Sequence, residues 1–394
     1  MRKKITKDKI GLTLISFLSY YFIGSIITIT GILMKSIARY FHVSMSEISS
    51  TFTYLNLGIL ISILLNSWIT NFISLNKQIL TGFIFIIPSI LGLAYSNNIA
   101  TFCISIFILG LVGGMTMSIG TFLITCIYNG KNRTSKLLIT DSFFSLSGMT
   151  FPIIASYFIK HDISWYWIYI MIAMIYFLIL IISLNVNFPN HIIYNQKKKY
   201  IKQEKYQINI SILTLCFAAL LYILGQLGFI SWIPEYLIQN ININIQTLGK
   251  LISNFWMSYM IGMWFFSYIL NFFDLQKSLL YLTSISTILM YLIIHTKNIQ
   301  SLIIIMIMLG FFSSAIYTII ITLTALQKKN VSHKLINLIL TSGTFGTLLT
   351  FIITSPIVSH FGIYITLTIS NILYGIISIL SWTLKFSSNH TKNL

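Results

Sequence analysis

Two ten-residue stretches, NFISLNKQIL at 71–80 and NFFDLQKSLL at 271–280, share the pattern N-F-x-x-L-(N/Q)-K-x-(I/L)-L and lie 200 positions apart. Other matches fall near the same spacing: 21–24 with 222–225, 109–110 with 309–310, and Gly148 with Gly346. Each match is weak in a chain so rich in Ile, Asn and Lys. Their common spacing nevertheless indicates two copies of one unit.

The composition assigns most of the chain to a lipid environment. Of 394 residues, 56% are hydrophobic and only 8% are charged, whereas a soluble domain carries about a quarter charged residues. Three cysteines, Cys103, Cys126 and Cys216, lie within or beside apolar stretches and lack the spacing of a metal site or a disulfide framework. We therefore expect no metal and no cofactor.

Apolar windows of about 20 residues, the length that crosses a bilayer, recur along the chain and predict twelve spanning helices. Their continuous apolar character excludes the alternating pattern of barrel strands. The first window continues without a cleavage site, so it is predicted to be a retained span and not a signal peptide. The windows lie near 11–34, 50–72, 79–96, 101–127, 137–159, 165–187, 210–238, 248–271, 278–295, 300–325, 335–359 and 362–384.

The polar stretch at 188–209 divides these windows into two sets of six. It holds five lysines and one glutamate, which is typical of a solvated tether, with contact to anionic lipid as the alternative. The predicted organisation is an N-terminal half at 1–187, a linker at 188–209 and a C-terminal half at 210–394.

The basic residues predict the orientation. Alternate connections, including both termini and the linker, hold 20 of the 25 Lys and Arg residues, and such connections face the cytoplasm. This distribution explains the net charge of +18 without a nucleic-acid partner. We expect a multi-pass protein of a bacterial inner membrane with both termini in the cytoplasm.

Ionisable residues are nearly absent from the predicted spans. The seven histidines lie in connections or at span ends, and no span holds a cluster suited to hydrolysis or group transfer. An enzyme is therefore not expected. Of the acids, Asp141 lies about one turn inside the fifth span, and Glu235 lies near the outer end of the seventh.

Two interpretations of each acid stay open. Asp141 either complements a helix N-terminus close to Arg133 and Lys136 in a structural or gating role, or it carries a proton. Glu235 is either exposed at the interface, or it carries a proton or gates the substrate beside Pro234, which interrupts its helix.

Neutral polar side chains within spans are the better candidates for a solute cavity, because facing lipid would leave them unsatisfied. For each one, packing between helices is the alternative. Our first candidates are Gln226, Asn56 and Asn254. The remaining candidates are Thr121, Thr125, Thr341 and Thr344, with Trp256, Tyr259 and Tyr317 as aromatic surfaces.

Longer blocks resemble bacterial inner-membrane proteins of the major facilitator superfamily, in the fucose-permease-like group. The blocks are GILISILLN (58–66), GMTMSIGTFLIT (114–125), LLITDSFFSLSGM (137–149), YILGQLGFISWIPEY (222–236), SNFWMSYMIGMW (253–264) and GFFSSAIYT (310–318). The resemblance implies twelve helices in two parallel six-helix repeats and transport by alternating access. Fucose-permease-type symporters place carboxylates in spans 1 and 4; this chain has none there, which weakens the case for a sugar substrate.

Family members often carry D-R-x-G-R-(R/K) between spans 2 and 3. Here that connection is SLNKQ, while the second copy, FDLQK, keeps an acid at Asp274. We expect Asp274 to lie near Arg133 or Lys136 and to help latch the two halves when the inner gate is shut.

The sequence therefore predicts a secondary-active transporter of a small solute, with protons as an open second partner through Asp141 or Glu235. Rocking of the two halves about a central cavity would move the solute. We expect a monomer in the lipid bilayer. The alternative is a membrane scaffold or sensor that uses a transporter fold without transporting.

Overall fold

The protein is described by a computed structural model that covers residues 2–70, 72–128, 130–188, 210–270, 272–326 and 333–383. Within these residues, the secondary-structure elements of the protein are α-helices. In the first half they are α1 (Arg2–Thr28), α2 (Thr30–Phe41), α3 (Met45–Ile69), α4 (Leu75–Tyr95), α5 (Ile99–Ile127), α6 (Gly130–Lys160) and α7 (Tyr166–Leu184). In the second half they are α8 (Ile210–Ile241), α9 (Ile245–Ile269), α10 (Leu275–His295), α11 (Ile299–Ser313), α12 (Ile316–Leu326), α13 (His333–Phe361) and α14 (Ile363–Thr383).

Each of the twelve predicted spans corresponds to helix. Within the described residues, 11 stretches are long and apolar enough to cross a membrane. The remaining span is α9, which has 25 residues and carries two Trp, two Tyr, three Ser and one Asn. Two spans are interrupted, one between α1 and α2 and the other between α11 and α12.

The helix boundaries repeat at a spacing of 200. α3 and α9 begin at Met45 and Ile245 and are followed by the 21-residue helices α4 and α10. In the two intervening turns, equivalent backbone hydrogen bonds join Phe72 N to Ile69 O and Phe272 N to Ile269 O, each at 3.0 Å. The two quoted stretches are therefore the same turn in two copies.

The N-terminal caps of the following helices repeat as well. Asn98 accepts a hydrogen bond from Ala100 N before α5, and Asn298 accepts one from Gln300 N before α11, each at 2.9 Å. Asparagine is a preferred N-cap because its side-chain oxygen satisfies an otherwise unpaired amide of the first turn. The same local chemistry thus begins the fourth and the tenth spans.

The chain divides into two compact units. The first comprises Met1–Lys205 with Asn242–Trp256, and the second comprises Tyr206–Ile241 with Met257–Leu394. The first half of α9 therefore groups with the N-terminal unit. The predicted boundaries at 187 and 210 stay a prediction, and positions 189–209 of the predicted linker lie outside the described residues.

In the first unit, α1 packs against α5, α6 and α7, and α4 packs against α5 and α7. Helices α3 and α5 approach closely where Gly110 lies against the carbonyl of Leu55. A methyl group on Gly114 would lie 2.5 Å from the carbonyl of Ile59, so only glycine permits this approach. These glycines form a packing surface between α3 and α5.

The second unit repeats the arrangement. Its first helix, α8, packs against α12, α13 and α14, and α10 packs against α11 and α14. Helices α8 and α10 thus occupy positions in the second unit that are equivalent to those of α1 and α4 in the first unit. This shared packing confirms that the chain holds two copies of one helical unit.

Candidate functional site

A cluster of tyrosines lies within the second unit, around Tyr222 of α8. The Tyr222 side chain is fully buried, and its hydroxyl lies 3.2 Å from the hydroxyl of Tyr259 on α9. Its ring lies nearly parallel to that of Tyr317 on α12, at 13° and 6.2 Å between centroids, and 5.4 Å from the ring of Tyr374 on α14. Four helices therefore meet at one side chain.

The same hydroxyl caps the interruption in the tenth span. Tyr222 Oη donates a 2.8 Å hydrogen bond to the carbonyl of Ser313, the last residue of α11. The side chain of Ser313 donates in turn to Ser286 Oγ at 3.2 Å. The last carbonyls of a helix need partners from outside it, and interrupted helices form solute and ion sites in many transporters.

Gln226 lies one turn beyond Tyr222 on α8. Residues four apart share a helix face, so Gln226 projects to the side on which Tyr222 meets α9 and α12. It is 5% exposed, and its Nε2 has no hydrogen-bond partner among the described residues. An unpaired buried donor costs free energy, so this amide is poised to bind an acceptor.

The structure brings three predicted residues, Gln226, Tyr259 and Tyr317, together around Tyr222. Two more lie on the adjacent α13, where the Tyr317 hydroxyl lies against Gly343. There the Thr344 hydroxyl donates to the carbonyl of Thr341 at 2.9 Å. Thr341 and Thr344 are partly exposed and flank the glycine that Tyr317 contacts.

The other predicted cavity residues lie in the first unit. Thr121 and Tyr20 share a 2.8 Å hydrogen bond between α5 and α1. Asn56 is buried beside Leu55, in the close contact of α3 with α5. The side chains of Thr125 and Arg133 lie outside the described residues.

The first half of α9 carries Asn254 and Trp256. Trp256 is 3% exposed and packs on α6, where its ring meets Phe144 at 5.7 Å. A methyl group on Gly148 would lie 2.5 Å from the indole Cγ of Trp256. Trp256 therefore joins α9 to α6, while Asn254 is half-buried.

The predicted coupling and gating residues lie in different environments. Asp141 is half-buried, whereas Glu235 is 5% exposed and accepts a 2.8 Å hydrogen bond from Gln239 Nε2. Interfacial exposure of Glu235 is therefore wrong, because the surrounding helices cover it. Lys136 Nζ lies 5.9 Å from the ring centroid of Tyr128, and Lys9 Nζ lies 4.4 Å from the same centroid.

Asp274 is exposed and caps its own helix. Its Oδ1 accepts hydrogen bonds from Gln276 N at 2.9 Å and Lys277 N at 3.0 Å. Ser74, at the equivalent position before α4, makes no such side-chain bond. The capping role of Asp274 is observed, while its predicted latch to Arg133 or Lys136 stays a prediction.

The sequence model of the protein family described as "Major Facilitator Superfamily" matches residues 12–328 of this chain. The chain belongs to the major facilitator superfamily. A "Protein TsgA homolog" of Buchnera aphidicola subsp. Schizaphis graminum is 56% identical over 95% of this chain and 96% of its own length. The homologue of the same description from Yersinia pseudotuberculosis is 49% identical over 97% of each chain. The protein is thus a TsgA-like member of the superfamily.

Solved structures of the superfamily share its fold. The crystal structure of a D-xylose-proton symporter matches with a TM-score of 0.77 at 11% identity, covering 96% of this chain and 98% of that one. A mutant of the nucleoside transporter NupG matches with a TM-score of 0.75 at 11% identity, covering 96% and 100%. These matches confirm the predicted membrane fold of twelve helices in two parallel repeats.

Sequence reasoning missed two residues of the site. Tyr222 entered the sequence analysis only as part of the repeat. Its position four residues before Gln226, on the same helix face, could have indicated that it belongs to the site. Tyr374 in the last span had no such signal, because a tyrosine in an apolar helix is usually a packing residue.

Proposed function

We propose that the protein is a secondary-active transporter that moves a small solute across the cytoplasmic membrane by alternating access. Membership of the superfamily supports transport as the general activity. The observation that carries the proposal is Gln226, a buried amide donor without a partner beside the tyrosine cluster. A protein that only stabilises its own fold gains nothing from such a group, whereas a solute acceptor would satisfy it.

The first test works with an unidentified solute. Proteoliposomes loaded with a small-molecule extract of bacterial cells are compared with protein-free vesicles, and mass spectrometry identifies each compound that leaves. We expect protein-dependent loss of at least one compound. Retention of every compound would contradict transport and favour the scaffold or sensor.

The second test changes Gln226 itself. Gln226→Ala should lower the rate of loss by about tenfold or more, the value of one hydrogen bond to a buried group, with unchanged abundance in the membrane. Asn240→Ala, at an exposed amide of the same helix, is the matched control. Full activity of Gln226→Ala would remove Gln226 from the site.

Coupling is tested in the same vesicles. If the protein is a uniporter, the rate of solute loss should be equal with and without an imposed pH gradient. If it is a proton symporter, the solute should leave faster when protons move down their gradient in the same direction. We propose Asp141 and Glu235 as the proton-carrying candidates, since both are acids within spans. If symport is observed, Asp141→Asn or Glu235→Gln should abolish the response to the gradient and leave counterflow of solute intact.

A further inference from the structure

Two lysine side chains lie over the ring of Tyr128 in the first unit. The Nζ atom of Lys9 on α1 is 4.4 Å from the ring centroid, and the Nζ atom of Lys136 on α6 is 5.9 Å from the same centroid. The two ammonium groups are therefore at most about 10 Å apart, which is about one Debye length at 0.1 M salt. Each gains a cation–π contact, but the two positive charges repel each other.

Hydrogen bonds to α1 hold the ring in place. The Thr13 hydroxyl donates to the carbonyl of Lys9 at 2.8 Å, so the 3.0 Å hydrogen bond between Thr13 and Tyr128 uses the proton of the Tyr128 hydroxyl. Tyr128 follows α5, and its backbone N–H donates to the carbonyl of Ile124. Helix α1 packs against both α5 and α6. The three side chains therefore come from three helices that meet at one end of the unit.

Within the described part of the chain, no carboxylate pairs with either ammonium group. Asp8, the acid next to Lys9, accepts hydrogen bonds from the backbone N–H and the side-chain amide of Asn187 at 3.4 and 3.2 Å. Asp141 lies five positions beyond Lys136, about 7.5 Å farther along α6. Both positive charges are thus available to an anion from outside the chain.

Both lysines lie at the edge of an apolar span. The membrane-length stretches of α1 and α6 are Asp8–Thr28 and Lys136–Lys160, so each lysine is the first or second residue of its stretch. Lys9 is exposed and Lys136 is partly exposed. Lysine and tyrosine side chains at such edges extend to the headgroup level of a bilayer. Both lipid phosphates and soluble anions reach this level.

We propose that Lys9, Lys136 and Tyr128 form an anion site that takes a phosphate monoester group. Such a group carries close to two negative charges and three acceptor oxygens, which matches two ammonium groups better than a carboxylate does. Lysine binds phosphate as a point charge on a flexible stem, so both ammonium groups can turn to one phosphate. The phosphate belongs either to a lipid headgroup or to a soluble compound. The site is separate from Gln226 and does not depend on transport.

The test measures the reactivity of single lysines in the full-length protein. The protein is placed in nanodiscs of phosphatidylcholine and treated with a water-soluble acetylating reagent, and mass spectrometry measures acetylation at each lysine. One arm adds inorganic phosphate at constant ionic strength, and the other replaces part of the lipid with phosphatidic acid. We expect acetylation of Lys9 and Lys136 to fall several-fold in at least one arm. Lys77, exposed in the first turn of α4, is the internal control and should react as before.

The two arms identify the source of the phosphate. Protection by inorganic phosphate alone supports a soluble ligand, protection by phosphatidic acid alone supports a lipid, and protection in both arms supports a site open to either. An equal fall at Lys9, Lys136 and Lys77 would show general screening and overturn the proposal. Unchanged acetylation of Lys9 and Lys136 in both arms would overturn it as well.

A pair of variants tests whether the two lysines bind one phosphate. Lys9→Gln removes one charge at an exposed position, where the fold tolerates the change. The concentration of the protecting probe that half-protects Lys136 should rise about tenfold or more, the value of a hydrogen bond to a charged group. Lys77→Gln is the matched control and should leave this concentration unchanged. An unchanged concentration in Lys9→Gln would mean that the lysines act separately, and it would refute the shared site.

Discussion

At the scale of single residues, Tyr222 joins the interrupted tenth span to the rest of its unit. Its hydroxyl is the donor to the Ser313 carbonyl at the end of α11, and both residues are fully buried. Tyr222→Phe keeps the ring contacts and leaves that buried acceptor unpaired. We expect a loss of about 1–3 kcal/mol of stability, measured as a lower thermal midpoint in detergent.

The matched control is Tyr281→Phe. Tyr281 lies on α10 of the same unit and is 64% exposed, so loss of its hydroxyl should leave the midpoint unchanged. Equal midpoints for the two variants would show that the Tyr222 hydroxyl does not support the junction of α11 with α12.

Only part of the site could be predicted at this scale. Gln226 is predictable because an amide within an apolar span must find a polar partner. The contact of Tyr374 with Tyr222 was not predictable, because it depends on which faces of α8 and α14 meet, and periodicity in uniformly apolar helices does not show this. The burial of Glu235 was unpredictable for the same reason.

At the scale of helices, Asp274 combines a cap with a charge. The capping bonds are in the structure, while the latch to the fifth span is a prediction that needs the charge. Asp274→Asn separates the two roles, because asparagine caps a helix about as well as aspartate. We expect an unchanged thermal midpoint and a slower release of solute from loaded vesicles.

The opposite pattern would refute the latch. If Asp274→Asn transports at the normal rate while Asp274→Ala loses about 1 kcal/mol of stability, Asp274 serves only as the cap of α10. Ser74→Asp, at the equivalent position of the first copy, is the control for added charge.

The contact of α6 with α9 depends on a glycine. A methyl group on Gly148 would meet the Trp256 indole at 2.5 Å, so Gly148→Ala must displace the ring at a cost of about 1–3 kcal/mol. The thermal midpoint should fall, and Trp256→Phe in the same chain should restore part of it. Gly375→Ala on α14, whose nearest neighbour would be 3.7 Å away, should be neutral or stabilising. Equal midpoints for the two alanine variants would contradict this contact.

Helix boundaries were more predictable than helix interruptions. The turns at 71–80 and 271–280 begin helices at equivalent positions, and the shared N-F-x-x-L-(N/Q)-K pattern stands at the same spacing in both copies. The break at Ser314 carries neither proline nor glycine at the junction. The carbonyl of Ser313 at this break accepts a tertiary hydrogen bond from Tyr222, which local sequence does not reveal.

At the scale of the whole molecule, the repeat predicted the fold and its family. It did not predict that the first half of α9 groups with the N-terminal unit. That grouping depends on close contacts of α9 with α6, such as Trp256 on Gly148.

The orientation in the membrane is the last prediction, and it depends on charge alone. The turn at Ser74 belongs to the lysine- and arginine-rich set of connections, while the connection at Asn97 holds no basic residue. Positive connections stay in the cytoplasm, so the two exposed positions should face opposite sides. In a chain with Cys103, Cys126 and Cys216 replaced by serine, Asn97→Cys should react with an impermeant maleimide in intact spheroplasts. Ser74→Cys should react only after lysis, and the reverse pattern would place both termini outside and refute the orientation.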